Sequence, residues 1–373
     1  MTVYLDYNAA TPCLAGSAYP FTFEHFSNAS GSHFLARESK QAFDDALNGI
    51  RDALGLHEHD IVITSGGTEA NCLALQSFID DEDKIACCGF EHPSVRLNAR
   101  TLIEIPCLST GQMDVEALSN IIVDNRDIRL VSIMFANNET GIIQPIERIK
   151  KVCIENNVLL HCDASQGLGK VPRQLLTFLD HQPDLITLTG QKQYAVAGIG
   201  ALLVRKGLEP IQSQWLDGGR QQQLRSGTLP VALAQMLSAS TKFCIESEEL
   251  VSKVFDLSQL LFSLLKDRFP SITLNNRKAH SLYNTLSIVL PCCAKDVMLE
   301  LGSQVCFSTG SSCCGDKLSK SLLLMGLEPE IIRRTARISL GFTTTEDEVR
   351  FAAKAIINVV ETLQSTTKCD NTE

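Results

Sequence analysis

Two polar residues stand where buried strands end. Asp163 closes the apolar run Val-Leu-Leu-His-Cys-Asp at 158–163, and Lys192 closes a second run, 184–192. They lie 29 positions apart, about the length of one strand–crossover–strand unit. An amine and a carboxylate at neighbouring strand ends are costly to desolvate unless a ligand fills the space between them. Pyridoxal phosphate needs this pair, an amine for its aldehyde and a carboxylate for its pyridinium nitrogen.

Other strand ends carry polar residues too. Ser65-Gly66-Gly67-Thr68 separates a strand from a helix, so its amides and hydroxyls can face an anion. No Lys-Ser or Lys-Thr follows the glycines, so this is not a nucleotide P-loop, and alone it reads first as an ordinary tight turn. Glu91-His92-Pro93 follows Lys84–Cys88 and puts His92 on the same sheet edge, suited to ring stacking or proton transfer. Asn137-Asn138-Glu139-Thr140-Gly141 and Asp163-Ala164-Ser165-Gln166 end two further strands. Four polar strand ends on one edge describe a binding crevice. Arg225-Ser226-Gly227-Thr228, after Gly218-Gly219-Arg220-Gln221-Gln222-Gln223, reads as an anion site shared with a second chain or as a solvated loop. Ser308-Thr309-Gly310-Ser311-Ser312-Cys313-Cys314-Gly315 is a small, polar stretch in which a thiol is accessible. Arg337, at the expected start of a strand, suits a bidentate grip on a carboxylate.

These residues need a scaffold. Strands are expected at 61–64, 84–88, 130–136, 158–163, 185–189 and 199–204, with helices between several of them. That alternation predicts an α/β fold with a mainly parallel sheet. From about 245 the texture becomes α+β: a helix over 246–269, a strand over 284–290 and a C-terminal helix over 346–364. The expected division is a large domain over 14–245 and a small one made of 1–13 and 246–373. The chain has 373 residues, 44% of them hydrophobic, which is enough for a large core. Its net charge of −10 disfavours direct nucleic-acid binding. No apolar stretch predicts a membrane span or an export signal, so the expected compartment is the cytoplasm. Fourteen irregularly spaced cysteines are expected to be thiols, most of them buried, and no metal site is expected.

With these motifs in place, the chain resembles the cysteine desulfurases of the class V aminotransferase type. The resemblance runs over Tyr-Leu-Asp-Tyr-Asn-Ala-Ala-Thr-Pro (4–12), Ser-Gly-Gly-Thr-Glu-Ala-Asn (65–71), Glu91-His92, 137–141, 163–166, Thr-Gly-Gln-Lys (189–192), 225–228, 308–313 and 337–341. It implies the pyridoxal-phosphate transferase fold type I, with a seven-stranded sheet and a smaller domain carrying a long active-site loop at about 303–318. By resemblance, Lys192 links covalently to the cofactor, Asp163 pairs with the ring nitrogen, Gln166 meets the ring oxygen and His92 stacks on the ring. Gly67, Thr68 and Thr189 hold the phosphate, with Thr228 reaching in from a partner subunit of a homodimer. Asn138 and Arg337 bind the carboxylate of L-cysteine, and Cys313 is the nucleophile whose persulfide goes to a sulfur-acceptor protein. A cysteine or selenocysteine lyase, or an aminotransferase of the same fold, is the alternative.

Three positions depart from the family pattern. Gln191 replaces the usual phosphate-binding His, which predicts looser cofactor retention. Asn28-Ala29-Ser30-Gly31 lacks a Pro usual there, and Cys314 sits beside the expected nucleophile.

Overall fold

The computed structural model describes residues 2–13, 25–211, 221, 223–276, 279–310 and 317–369. A two-residue strand, β1 (Val3–Tyr4), comes first. Seven strands then build the central sheet: β2 (His59–Thr64), β3 (Lys84–Cys88), β4 (Leu102–Ile105), β5 (Ile128–Met134), β6 (Leu159–Asp163), β7 (Leu185–Thr189) and β8 (Gly200–Arg205). Their order is β2-β8-β7-β6-β5-β3-β4, and only β8 runs antiparallel to its neighbours. Strands covered on both faces read as unbroken apolar runs. Every residue of β7 is accordingly buried. This direction pattern brings the carboxyl ends of β2, β3, β5, β6 and β7 to one edge of the sheet.

Helices cover the sheet because their apolar residues recur on one face. Helix Phe34–Leu54 buries Ala36, Phe43, Leu47, Ile50 and Leu54 among others, and ends at Gly55, whose positive φ of 68° suits glycine. It packs closely against helix Val231–Glu246: a Cβ on Gly49 would lie 2.4 Å from Ser238 Oγ. Each fully buried Leu or Ile contributes about 1.5–3 kcal/mol.

A second sheet is built from β9 (Thr273–Leu274), β10 (Thr285–Val289), β12 (Ser308–Thr309) and β13 (Thr335–Ser339), in the order β12-β13-β10-β9 and antiparallel throughout. Between them in sequence, β11 (Val305–Cys306) pairs in parallel with β1. Helices Glu248–Arg268 and Glu346–Cys369 pack against each other beside this sheet. One continuous apolar cluster, from Val3 through Ile186 to Val360, joins the two sheets.

The α/β class and the seven-stranded, mainly parallel sheet are as expected. Several local expectations need correction. The helix expected over 246–269 begins at Glu248, because Ser247 separates it from Val231–Glu246. Arg337 is the middle residue of β13, paired with Ser287 on one side and Ser308 on the other, not its first. Lys192 lies beyond the end of β7, on a single 3-10 turn, Gly190–Lys192. Gly190 permits that turn, since a Cβ there would lie 2.8 Å from the Ile199 carbonyl oxygen.

Candidate active site

A cavity of about 360 Å³ opens along the edge where the five strand ends meet. Gly67 and Thr68 follow β2, His92 follows β3, Asn138 follows β5, Asp163 ends β6, and Thr189 ends β7 with Gln191 and Lys192 beyond it. Gln166, Arg337 and the N-terminal residues Asn8 and Ala9 complete much of the wall. Eleven of the twelve expected site residues are described, and ten of those line this one cavity. The eleventh, Thr228, does not: it is exposed, in a separate hollow with Phe26 and Asn28. Cys313, its neighbour Cys314 and most of their loop lie outside the described residues.

Asp163 sits in the middle of the sheet, in register with Met134 on β5 and Thr187 on β7. Burial alone would raise its pKa. The Ser165 hydrogen bonds, the Lys192 charge and the Asn71 amide overcome this and hold the carboxyl below its usual range. Its Oδ1 accepts from Ser165 N at 3.0 Å and its Oδ2 from Asn71 Nδ2 at 2.9 Å. Lys192 shifts downward: burial disfavours its charge, Asp163 opposes that, and Arg337 adds repulsion. The result is an ionised acid beside an amine that is more readily neutral than an ordinary lysine. An amine so tuned is a nucleophile for an aldehyde.

His92 caps the short helix Pro93–Arg96. Its Nδ1 accepts from Ser94 N at 3.1 Å and lies 2.7 Å from Ser94 Oγ. An accepting Nδ1 puts the ring proton on Nε2. Burial and then Lys192 lower its pKa against the pull of Asp163, so the imidazole stays neutral near pH 7. Asn71 donates to Ser94 Oγ at 2.9 Å as well as to Asp163, and so ties the acid to the histidine. The sequence reading gave Asn71 no role, although it is a buried Asn one turn after Gly67 on an otherwise apolar helix face.

The helix Gly67–Gln76 starts at the cavity, and its first-turn amides have no intrahelical partners. Ser165 Oγ and Thr189 Oγ1 lie 2.6 Å apart beside it. A Cβ on Gly67 would fall 2.2 Å from Thr189 Oγ1 and 3.2 Å from Ser165 Oγ, so glycine keeps this cup open. Glu69 is paired with Arg225, Nε to Oε1 at 2.6 Å, which offsets an acid that would otherwise repel an anion here. Arg225 thus braces this helix within its own chain.

Arg337 Nη2 donates to Asp6 Oδ1 at 2.6 Å and Ser308 Oγ at 2.8 Å, and Nη1 to the Asn138 carbonyl at 3.3 Å. Its buried Nε has no partner among the described residues. A guanidinium fixed in this way still has donors for a substrate carboxylate. Asp6 escaped the sequence reading because its partner lies 331 positions away.

Burial pushes the thiols of Cys87, Cys88, Cys162 and Cys244 far up, and that of Cys153 to about 12. These are packing residues rather than nucleophiles.

The cavity suits pyridoxal phosphate in its parts: an acid with lowered pKa, a neutral-leaning amine, and a hydroxyl-lined cup at a helix start that a single Cβ would fill. Residues 3–351 match the class-V aminotransferase family, whose enzymes use pyridoxal phosphate. The cysteine desulfurase IscS of Edwardsiella ictaluri is 34% identical, over 94% of this chain and 91% of its own. The mitosomal cysteine desulfurase of Trachipleistophora hominis is 32% identical, over 97% and 87%. A NifS-like protein from Rickettsia africae superposes with a TM-score of 0.86 at 26% identity, covering 97% of this chain and 100% of that one. The chain belongs to the class-V aminotransferase family and, within it, to the cysteine desulfurases.

Proposed function

We propose that this enzyme breaks the carbon–sulfur bond of L-cysteine, releases L-alanine and leaves the sulfur as a persulfide on Cys313. The balance closes: cysteine and the Cys313 thiol become alanine and a protein persulfide, with no external oxidant. The meeting of Lys192, Asp163 and Arg337 in one cavity carries this reading.

Pyridoxal phosphate, when bound, supplies the electron sink that weakens the bonds at the substrate α-carbon. Asp163, ionised in its buried site, keeps a proton on the ring nitrogen. Lys192 would hold the cofactor through its aldehyde carbon and would carry the α-proton of the substrate. Gly67, Thr68, Thr189 and Gln191 hold the phosphate, and Thr228 of the partner subunit completes that cup. His92 stacks on the ring and presents Nε2–H. Arg337 and Asn138 hold the substrate carboxylate. Cys313, from the loop joining Gly310 to Ser319, takes the sulfur. The Ser319 N–H donates to the Gly310 carbonyl at 2.8 Å, next to β13, which carries Arg337.

The reading extends to a homodimer in the cytoplasm that hands sulfur to an acceptor protein of iron–sulfur assembly, tRNA thiolation or DNA phosphorothioation. It is consistent that no helix among the described residues is long and apolar enough to cross a membrane. Incubation with L-cysteine should yield alanine and one sulfane sulfur on Cys313. Cys313→Ser should abolish both while leaving the visible absorption of the bound cofactor unchanged. Undiminished alanine release by that variant would refute the nucleophile assignment.

A further inference from the structure

Lys170 lies seven residues after Asp163 and is only 3% exposed. It makes no ion pair among the described residues. Its Nζ donates to Asn8 Oδ1 at 3.2 Å, to the Tyr7 carbonyl at 3.4 Å and to Gln166 Oε1. Burial, with Lys192 and Arg337 adding repulsion, drives its pKa well down. The three converging oxygens oppose that shift, since a neutral amine would have to aim its lone pair at one of them. As an ammonium, Nζ has no acceptor and approaches Gln166 only as a donor.

This settles which way the Gln166 amide faces. The two ends of an amide are nearly the same size, so hydrogen bonding alone chooses between them. With Oε1 turned to Lys170, Nε2 donates to the Asn8 carbonyl at 2.8 Å and keeps a second N–H on the cavity wall. The acceptor is itself immobile. Asn8 Oδ1 also accepts from Asn284 Nδ2 at 3.1 Å, and Asn8 Nδ2 donates to Thr285 Oγ1 at 2.9 Å and to the Asn138 carbonyl at 3.2 Å.

We infer that Lys170 is a positioning residue that locks the Gln166 amide with an N–H, not a carbonyl oxygen, toward the ring oxygen of the cofactor. The inference rests on the pyridoxal-phosphate reading of the cavity and deepens it. A flipped amide would set oxygen against oxygen and turn an attraction into a repulsion.

The test is a double-mutant cycle on the full chain, read as the dissociation constant and the absorption maximum of bound pyridoxal phosphate. Lys170→Met keeps the side-chain length and removes the donor. It should weaken binding about tenfold, the worth of one hydrogen bond to a charged group, and shift the maximum to that of Gln166→Ala. The double variant should bind no more weakly than Gln166→Ala alone. Additive losses, or a Lys170→Met protein with parental affinity and maximum, would overturn the inference. If Lys170→Met does not fold, Gln166→Glu replaces it. Its carboxylate still accepts from Lys170 but has no N–H, so the maximum should shift. An unshifted maximum would count against the inference. A parent protein with no visible band at all would overturn the cofactor reading itself, an outcome distinct from additivity among variants that do bind.

Discussion

Substituting Ala for Gly67 should weaken cofactor binding with little net change in folding stability. Gly67 opens a helix and has no left-handed backbone requirement, so Ala costs nothing in conformation there. In the protein without cofactor, Ala gains up to about 1 kcal/mol of helix propensity over Gly, less at this end position. The new methyl would meet Thr189 Oγ1 at 2.2 Å, whereas ordinary contact begins near 3.4 Å. The hydroxyl must therefore retreat by more than an ångström, breaking its 2.6 Å bond to Ser165 Oγ and leaving the phosphate cup. One hydrogen bond to a charged group is worth about 1.5–3 kcal/mol, so the dissociation constant for pyridoxal phosphate should rise roughly 10–100-fold. Absorbance titration of the stripped protein measures that constant, and thermal unfolding of the same sample measures stability. Affinity within twofold of the parent, with stability unchanged, would refute the assignment of this cup to the phosphate.

Two more outcomes follow from the site. Arg337→Lys loses the fork held by Asp6, Ser308 and the Asn138 carbonyl, so KM for cysteine should rise at least tenfold with a smaller change in kcat; an unchanged KM would remove Arg337 from substrate binding. His161 is buried between Ser132 Oγ and Thr187 Oγ1, and burial lowers its pKa from 6.5 to about 4 against the opposing pull of Asp163. Between those values the unfolded chain binds a proton that the folded chain refuses, so stability is full above pH 6.5 and declines toward pH 4. The loss totals about 3 kcal/mol. Urea unfolding at pH 7 and pH 4.5 should show that decline, and His161→Gln should flatten it; an equal slope in both proteins would show that His161 is not its source.

Much of the frame was legible because buried strands advertise themselves. Lys84–Cys88 and Leu185–Thr189 have the expected bounds, since each is an apolar run that a glycine follows directly. The edge strand Leu102–Ile105 was not, because a half-exposed Leu-Ile-Glu-Ile carries no such signal. Nor does sequence order reveal that β8 inserts between β2 and β7. At the site, strand-end residues such as Asp163, His92 and Asn138 could be found by position alone. Asp6, Asn8 and Lys170 could not, because what gives them meaning is contact across 331, 276 and 162 positions respectively. Thr228 marks the limit of a single chain: its own cavity lies elsewhere in the fold.

Reduction of the native holoenzyme with borohydride, followed by peptide mapping, tests the central claim most directly. The cofactor should be fixed to one peptide, on Lys192. A label on Lys170, the other buried amine near the cavity, or a protein left unlabelled would contradict the account.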